Sequence, residues 1–210
     1  AFVNTHATGS GDVVSATGSK AGIVKNCKVG DCVLELSPDH ASPGEKIVFE
    51  AKEDASYTLS RALEESATAR RNRGAQVGVF VFSARTAPTG IPSLQRYGKD
   101  VVVVWDAEDP STDSLLNAGI LLAKGLVLEG ARVAAPAADV DFNAITVAIE
   151  AVAKRAEKTD QVRTWGQTIE STGAKIVAEM DIARKDLERQ VEILRARIEE
   201  ARESLAGREG

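Results

Sequence analysis

The chain has 210 residues, 43% of them hydrophobic, but only nine are aromatic and 32 are alanine, which favours helix over a large apolar core and suits one compact domain with a helical extension. Its net charge of −5 argues against a protein that coats nucleic acid by bulk electrostatics, though not against a local basic patch. The longest apolar stretch, 118–128, contains Lys124 and is shorter than the ~20 residues that span a bilayer, so no membrane span is expected; the first residues carry no basic run followed by an apolar one, so secretion is not expected, and Cys27 and Cys32 look like cytoplasmic thiols.

Residues 1–12 read as a loop, and the start at Ala1 rather than Met leads us to expect a missing upstream piece. Strands are predicted at 12–16, 31–36 and 46–52, the last two joined by a hairpin loop that holds Pro38, Pro43 and Gly44. A helix over about 54–73 follows, capped by Asp54 or Ser56. Its apolar stripe is Leu59, Ala62, Leu63, Ala67 and Ala69, and Gly74 ends it. Strands at 76–83 and 100–105 and a helix over about 112–128 complete an α/β domain with a mixed sheet flanked by helices, placed at 1–130.

Residues 131–143 form an Ala-rich linker, and 144–210 read as a long helix. There Ile176, Met180, Leu187, Val191, Leu194 and Ile198 fall at intervals that make most of a coiled-coil seam, the basis for expecting a homodimer. Gly166 and Gly173 leave room for a break, with the seam starting near Ile176. The alternative is an amphipathic helix folded back on the sheet domain.

Strand alternation puts Glu50 and Lys52 on one face at the end of the third strand. A carboxylate and an ammonium so placed suit metal-dependent phosphodiester cleavage. Carboxylate oxygens hold Mg²⁺, the ion activates water, and lysine orients that water or stabilises the transition state. The second acid is Asp31 or Asp39. If Leu36 pairs with Lys46 or Ile47, Asp31 falls opposite Ala51 or Lys52, whereas Asp39 lies in the loop at least ~13 Å from Glu50 at ~3.3 Å per residue. Asp31 is therefore the expected partner and Asp39 a turn residue.

The runs Lys28-Val-Gly-Asp-Cys-Val-Leu-Glu-Leu36, Lys46-Ile-Val-Phe-Glu-Ala-Lys-Glu-Asp54 and Val77-Gly-Val-Phe-Val-Phe-Ser83 resemble the PD-(D/E)XK nuclease superfamily. Within it the likeness is closest to RmuC-like and related bacterial proteins that join such a domain to a coiled coil. The resemblance covers residues 12–128. It implies a restriction-endonuclease-like fold and a metal-dependent deoxyribonuclease that acts in DNA recombination or repair. Asp31 and Glu50 would be ligands of Mg²⁺, or of Mn²⁺ in its place, with the Ala51 carbonyl as a further ligand and Lys52 as the catalytic lysine. The superfamily's core opens with a helix for which the reading above leaves no place, so that first helix is expected to be missing. An inert nuclease-like scaffold that binds protein or DNA is the alternative.

Arg70, Arg71 and Arg73, extended by Arg61 and Arg85, would grip DNA phosphates, or else favour a helix C-terminus; Lys25 and Lys28 would join them. A zinc site from Cys27, Cys32, His6 and His40 matches no common spacing, and the run 17–22 lacks the Gly-Lys-Ser/Thr of a phosphate loop. Asp106, Glu108 and Asp109 are expected to cap the helix that follows them.

Overall fold

The computed structural model describes residues 2–134 and 142–206. Six strands form one mixed sheet: β1 (Val13–Ala16), β2 (Cys32–Glu35), β3 (Lys46–Lys52), β4 (Val77–Ser83), β5 (Leu94–Tyr97) and β6 (Asp100–Trp105), in the order β1-β2-β3-β4-β6-β5. The first three run antiparallel as a meander, and β3, β4 and β6 are parallel. The helices are α1 (Phe2–Thr8), α2 (Leu59–Arg73), α3 (Asp113–Ala134) and α4 (Phe142–Ala206), with a 3-10 turn at Pro110–Thr112.

The two central strands are buried on both faces, which is why they read as nearly unbroken Val, Ile and Phe runs. Odd-numbered side chains such as Phe49, Val79, Val81, Val101 and Val103 form one core with Leu116, Ile120, Ala123 and Val127 of α3. Even-numbered Val48, Phe80, Phe82 and Val102 face Ala62 and Ala69 of α2 and the ring of Tyr57. Glu50 and Lys52 share that even-numbered set and therefore lie on the α2 side. A buried network fixes α2 over the sheet: Asp100 accepts from Ser66 Oγ at 2.7 Å and from Arg70 Nε and Nη2 at 2.9 and 3.1 Å.

Several sequence expectations change. Residues 2–8 are helical rather than loop, so a helix does precede β1. Tertiary contacts hold this short segment, with Ala7 buried, Phe2 against Trp105 at 5.7 Å between ring centroids, and His6 Nδ1 3.1 Å from Asn117 Oδ1. Helix α2 begins at Leu59 with Thr58 as its cap. Asp54 instead accepts from the N–H and Oγ of Ser56, a local turn that competes with helix. Strand β5 was not expected, because its pattern is polar at Gln95 and Arg96; it is an edge strand joined to β6 through Gly98 and Lys99.

Helix α3 extends past Gly130 to Ala134. The segment Pro110–Ala131 is long and apolar enough to cross a membrane by length and composition, yet half of it is buried inside the protein, as in a core helix. Most of the expected linker, 135–141, lies outside the described residues. The chain divides into two compact units, 1–160 and 161–210. In the first, Ile145 and Ile149 of α4 lie near Gly125 and Asp160 accepts from the Ser93 N–H at 2.9 Å. The second is helical through Gly166 and Gly173 without a break, and leaves Ile176, Met180, Leu187, Leu194 and Ile198 exposed.

Candidate active site

The hairpin between β2 and β3 closes one or two residues tighter than the pairing of Leu36 with Lys46 or Ile47 that the sequence suggests. Leu36 N–H donates to the Glu45 carbonyl at 2.9 Å and Gly44 N–H to the Leu36 carbonyl at 3.0 Å, so Cys32 pairs with Phe49. Extending that register sets Asp31 beside Glu50 instead of Ala51 or Lys52. Asp31 N–H donates to the Phe49 carbonyl at 2.8 Å, and Asp31 Oδ2 accepts from the Ala51 N–H at 2.9 Å, so its carboxylate stands at the end of the ladder in place of a further strand residue. The two expected acids are thus neighbours, and Asp39 is left in the hairpin loop.

Glu50 is 6% exposed on a central strand, an unusual position for an acid. Its Oε2 accepts from the Gly30 N–H at 2.6 Å and its Oε1 lies 3.3 Å from Lys52 Nζ. Lys52 Nζ also reaches Glu65 Oε1 at 3.1 Å, and the second Glu65 oxygen accepts from the Tyr57 hydroxyl. The Tyr57 ring carries Lys52 Nζ 5.0 Å from its centroid and the Arg61 guanidinium at 4.1 Å, both within cation–π range.

The charges within this cluster are unequal. Burial pushes the Glu50 carboxyl up, and the charges of Asp31 and Glu65 add to that, against the Gly30 N–H and Lys52. Burial would raise Glu65 as well, but hydrogen bonds from Tyr57 and Lys52 hold it below the usual carboxylate range. Burial alone would lower Lys52; the Glu65 hydrogen bond and the charges of both glutamates reverse this and hold its ammonium above the ordinary lysine value. Glu65 is therefore the firmly ionised anchor of Lys52, and Glu50 is the acid nearest to taking up a proton.

Sequence reasoning missed Glu65, Tyr57 and the Gly30 N–H. A signal existed for Glu65, which stands three residues after Ala62 and four before Ala69 on the buried stripe of α2. Tyr57 and the Gly30 N–H sit in irregular segments that no periodicity describes.

The expected arginines divide. Arg70 is bonded to Asp100, and Arg73 Nη2 donates to the carbonyls of Thr17, Lys20 and Lys28 at 2.8, 3.0 and 2.8 Å. Arg61, Arg71 and Arg85 are exposed, Arg85 in an ion pair with Glu108. Lys52, Ser83, Arg85, Trp105 and Asp106 border an open cleft of about 340 Å³ at the C-terminal ends of β3, β4 and β6, the end at which open α/β sheets bind ligands. Asp109 caps the 3-10 turn, as expected of that acidic run, by accepting from Ser111 N–H at 2.9 Å.

Among the described residues no three or more His, Cys, Asp or Glu side chains converge where they would hold a metal ion, which applies to the cysteine–histidine set and to the carboxylates alike. Burial, with the charge of Asp31, pushes the Cys32 thiol up to about 11, so it is not a thiolate near neutral pH. Comparison with protein-family models, curated proteins and solved structures yields no match.

Proposed function

We propose that the end of β3 is the hydrolytic centre of a metal-dependent deoxyribonuclease on a restriction-endonuclease-like fold, related to the PD-(D/E)XK superfamily and active in DNA recombination or repair. The observation that carries this reading is one strand end that holds the Glu50–Lys52 pair, with Lys52 anchored by Glu65 and with Asp31 bonded to the next N–H, that of Ala51. The order of elements supports it: helix, three antiparallel strands, helix and a strand parallel to the third, with α1 supplying the opening helix that the resemblance requires.

The donor set fits a hard divalent cation. Asp31 and Glu50 offer only oxygen, and the Ala51 carbonyl points to the same side of its strand as the N–H that meets Asp31. Two carboxylates suffice for Mg²⁺ or Mn²⁺ when substrate phosphate oxygens and waters complete the shell. Burial, with the charges of Asp31 and Glu65 behind it, raises Glu50, and a bound cation would offset the cost of keeping that carboxylate ionised. When bound, such an ion makes water a nucleophile at neutral pH and screens phosphate charge. With two of its three N–H bonds on Glu50 and Glu65, Lys52 would direct the third toward the reacting phosphate, and Glu65 with Tyr57 fixes where its ammonium stands. Arg61, Arg71 and Arg85 are the expected arginines with exposed side chains for DNA phosphates.

The test is cleavage of linear, single-stranded and branched DNA with Mg²⁺ or Mn²⁺. Lys52→Ala and Glu50→Ala are expected to lower the rate by ~10²-fold or more, the scale of losing one preorganised charge-stabilising group. Activity that survives both substitutions overturns the assignment. A second reading, a noncatalytic docking platform, draws on the closed chain Glu50, Lys52, Glu65 and Tyr57, which satisfies these groups within the protein. It requires that the unsubstituted protein leave every substrate intact.

We also propose that the second unit pairs with a second copy as a coiled coil, because its seam residues are exposed along an unbroken helix. Sedimentation equilibrium at high micromolar concentration is expected to give the mass of a dimer, about twice the 22.2 kDa chain. A monomeric mass there removes the proposal.

A further inference from the structure

Between β1 and β2 the chain leaves the sheet for residues 18–30. This stretch contains Lys20, Lys25 and Lys28 and no acidic residue, in a protein of net charge −5. Its tip exposes two aliphatic side chains, Ile23 at 75% and Val24 at 42%. All three lysines are also exposed, and among the described residues none lies within ion-pair distance of a carboxylate.

The loop is held firmly despite having no regular structure. Its neck is tied where Thr17 Oγ1 donates to the Gly30 carbonyl at 2.7 Å, and where the N–H groups of Thr17 and Gly18 donate to the Asp31 carbonyl at 2.8 and 3.0 Å. The end of α2 clamps its inner side. Fully buried Asn72 donates from Nδ2 to the carbonyls of Cys27 and Val29 at 3.1 and 2.8 Å and accepts from Val24 N–H at 3.1 Å. Arg73 bonds three further carbonyls. Gly22 passes so close to Asn72 that a Cβ there would collide with it. The inward-facing backbone is thus satisfied and Val29 packs against the core, while the three lysines, Ile23 and Val24 stay exposed. A closed-neck loop of this kind is a common carrier of function.

We propose that residues 18–30 form a nucleic-acid-contacting element beside the exposed arginines, with Lys20, Lys25 and Lys28 on backbone phosphates and Ile23 and Val24 against unstacked bases. This rests on the hydrolytic reading of the neighbouring site. Three lysines without an acid complement a polyanion, and an aliphatic pair between them suits a ligand with apolar faces between its charges, as when aliphatic side chains wedge into base steps. The root of the loop is the backbone of Gly30 and Asp31, whose N–H and carboxylate meet Glu50 and Ala51. A strand lying on the loop is thereby led to the end of β3. An aliphatic wedge gains most where bases are already unpaired, so the preferred substrate is single-stranded or forked DNA.

Fluorescence anisotropy in EDTA, with labelled single-stranded, forked and blunt duplex DNA between 50 and 200 mM salt, reads binding without hydrolysis. The K20Q/K25Q/K28Q variant is expected to bind single strands at least ~10-fold more weakly at 50 mM salt. Its salt slope is expected to shrink by about 2, at ~0.7 for each phosphate no longer neutralised. The I23S/V24S variant is expected to keep the slope but lose ~10-fold for single-stranded and forked DNA while leaving duplex binding unchanged. An unchanged slope in a lysine variant that melts like the parent overturns the inference, as does binding to phosphatidylserine vesicles with none to DNA. DNA binding with these dependences but without Mg²⁺-dependent cleavage leaves the loop assignment standing and removes the hydrolytic reading. Cleavage that is indifferent to the loop variants does the reverse.

Discussion

Glu50→Gln is expected to raise the melting temperature at pH 7 by about 2–4 °C, or ~1 kcal/mol in a chain of this size, while lowering metal-dependent cleavage by ~10²-fold or more. The gain follows from the direction of the Glu50 shift. Burial, reinforced by Asp31 and Glu65, holds its carboxyl above the ordinary 4.5, so the folded state binds that proton more tightly than the unfolded chain. Native stability therefore falls as pH rises from about 4.5 through the raised value, and above that window the full cost of the buried charge is present. Glutamine removes this cost. It still offers an oxygen to the Gly30 N–H, and Lys52 keeps Glu65. As pH falls below 4.5 Glu50 becomes neutral in both states, and the two melting temperatures should converge. The check is a pair of melting curves from pH 4 to pH 8; a Gln variant less stable than the parent at pH 7 would mean that the Lys52 ion pair outweighs burial. Opposite signs for stability and activity are the mark of an acid kept for chemistry, whereas a purely structural Glu50 would lose both together.

Gly30→Ala is expected to lower stability by about 3 kcal/mol, roughly 6–12 °C in melting temperature. Two separate costs add. Gly30 has φ +99°, a backbone conformation that side chains with a Cβ avoid, and a Cβ there would stand 2.8–2.9 Å from Arg73 Cγ and Nε and from Val48 Cγ2. Val48 belongs to the buried core under α2, and Arg73 is committed to three carbonyls, so neither gives way cheaply. Relief requires Gly30 to move, and its N–H then leaves Glu50. The substitution should thus weaken the loop and the site together, seen as a drop in the urea midpoint and faster amide exchange across 18–30. A variant that melts within a degree of the parent would show that the clamp yields, and that the rigidity of the loop is not set at Gly30.

The central strands, the termination of α2 at Gly74 and the pairing of Glu50 with Lys52 on one face were all legible from the chain, because each depends on a local rule. Runs of Val and Phe must be buried on both faces, glycine accepts the left-handed conformation that closes a helix, and side chains two apart on a strand point the same way. Strand β5 and helix α1 were not legible, since a polar edge strand and a seven-residue helix have weak intrinsic signals and exist here through their partners. Asp31 could be chosen over Asp39 from sequence, yet its register was off by one or two residues, because the closure of the 37–45 loop on Leu36 is decided by how the turn packs.

The order of residues along the chain is enough to place an acid and a lysine together at the end of a buried strand, with a second acid a hairpin away. How these groups are held emerges only from packing in three dimensions: Glu65 and Tyr57 on the lysine, the Gly30 N–H on Glu50, and Arg70 and Arg73 drawn into the frame of the protein. The physical reason is range. Strand alternation and capping act over a few residues, whereas these contacts join groups between 5 and 56 positions apart and form only when packing removes the water that would otherwise satisfy them.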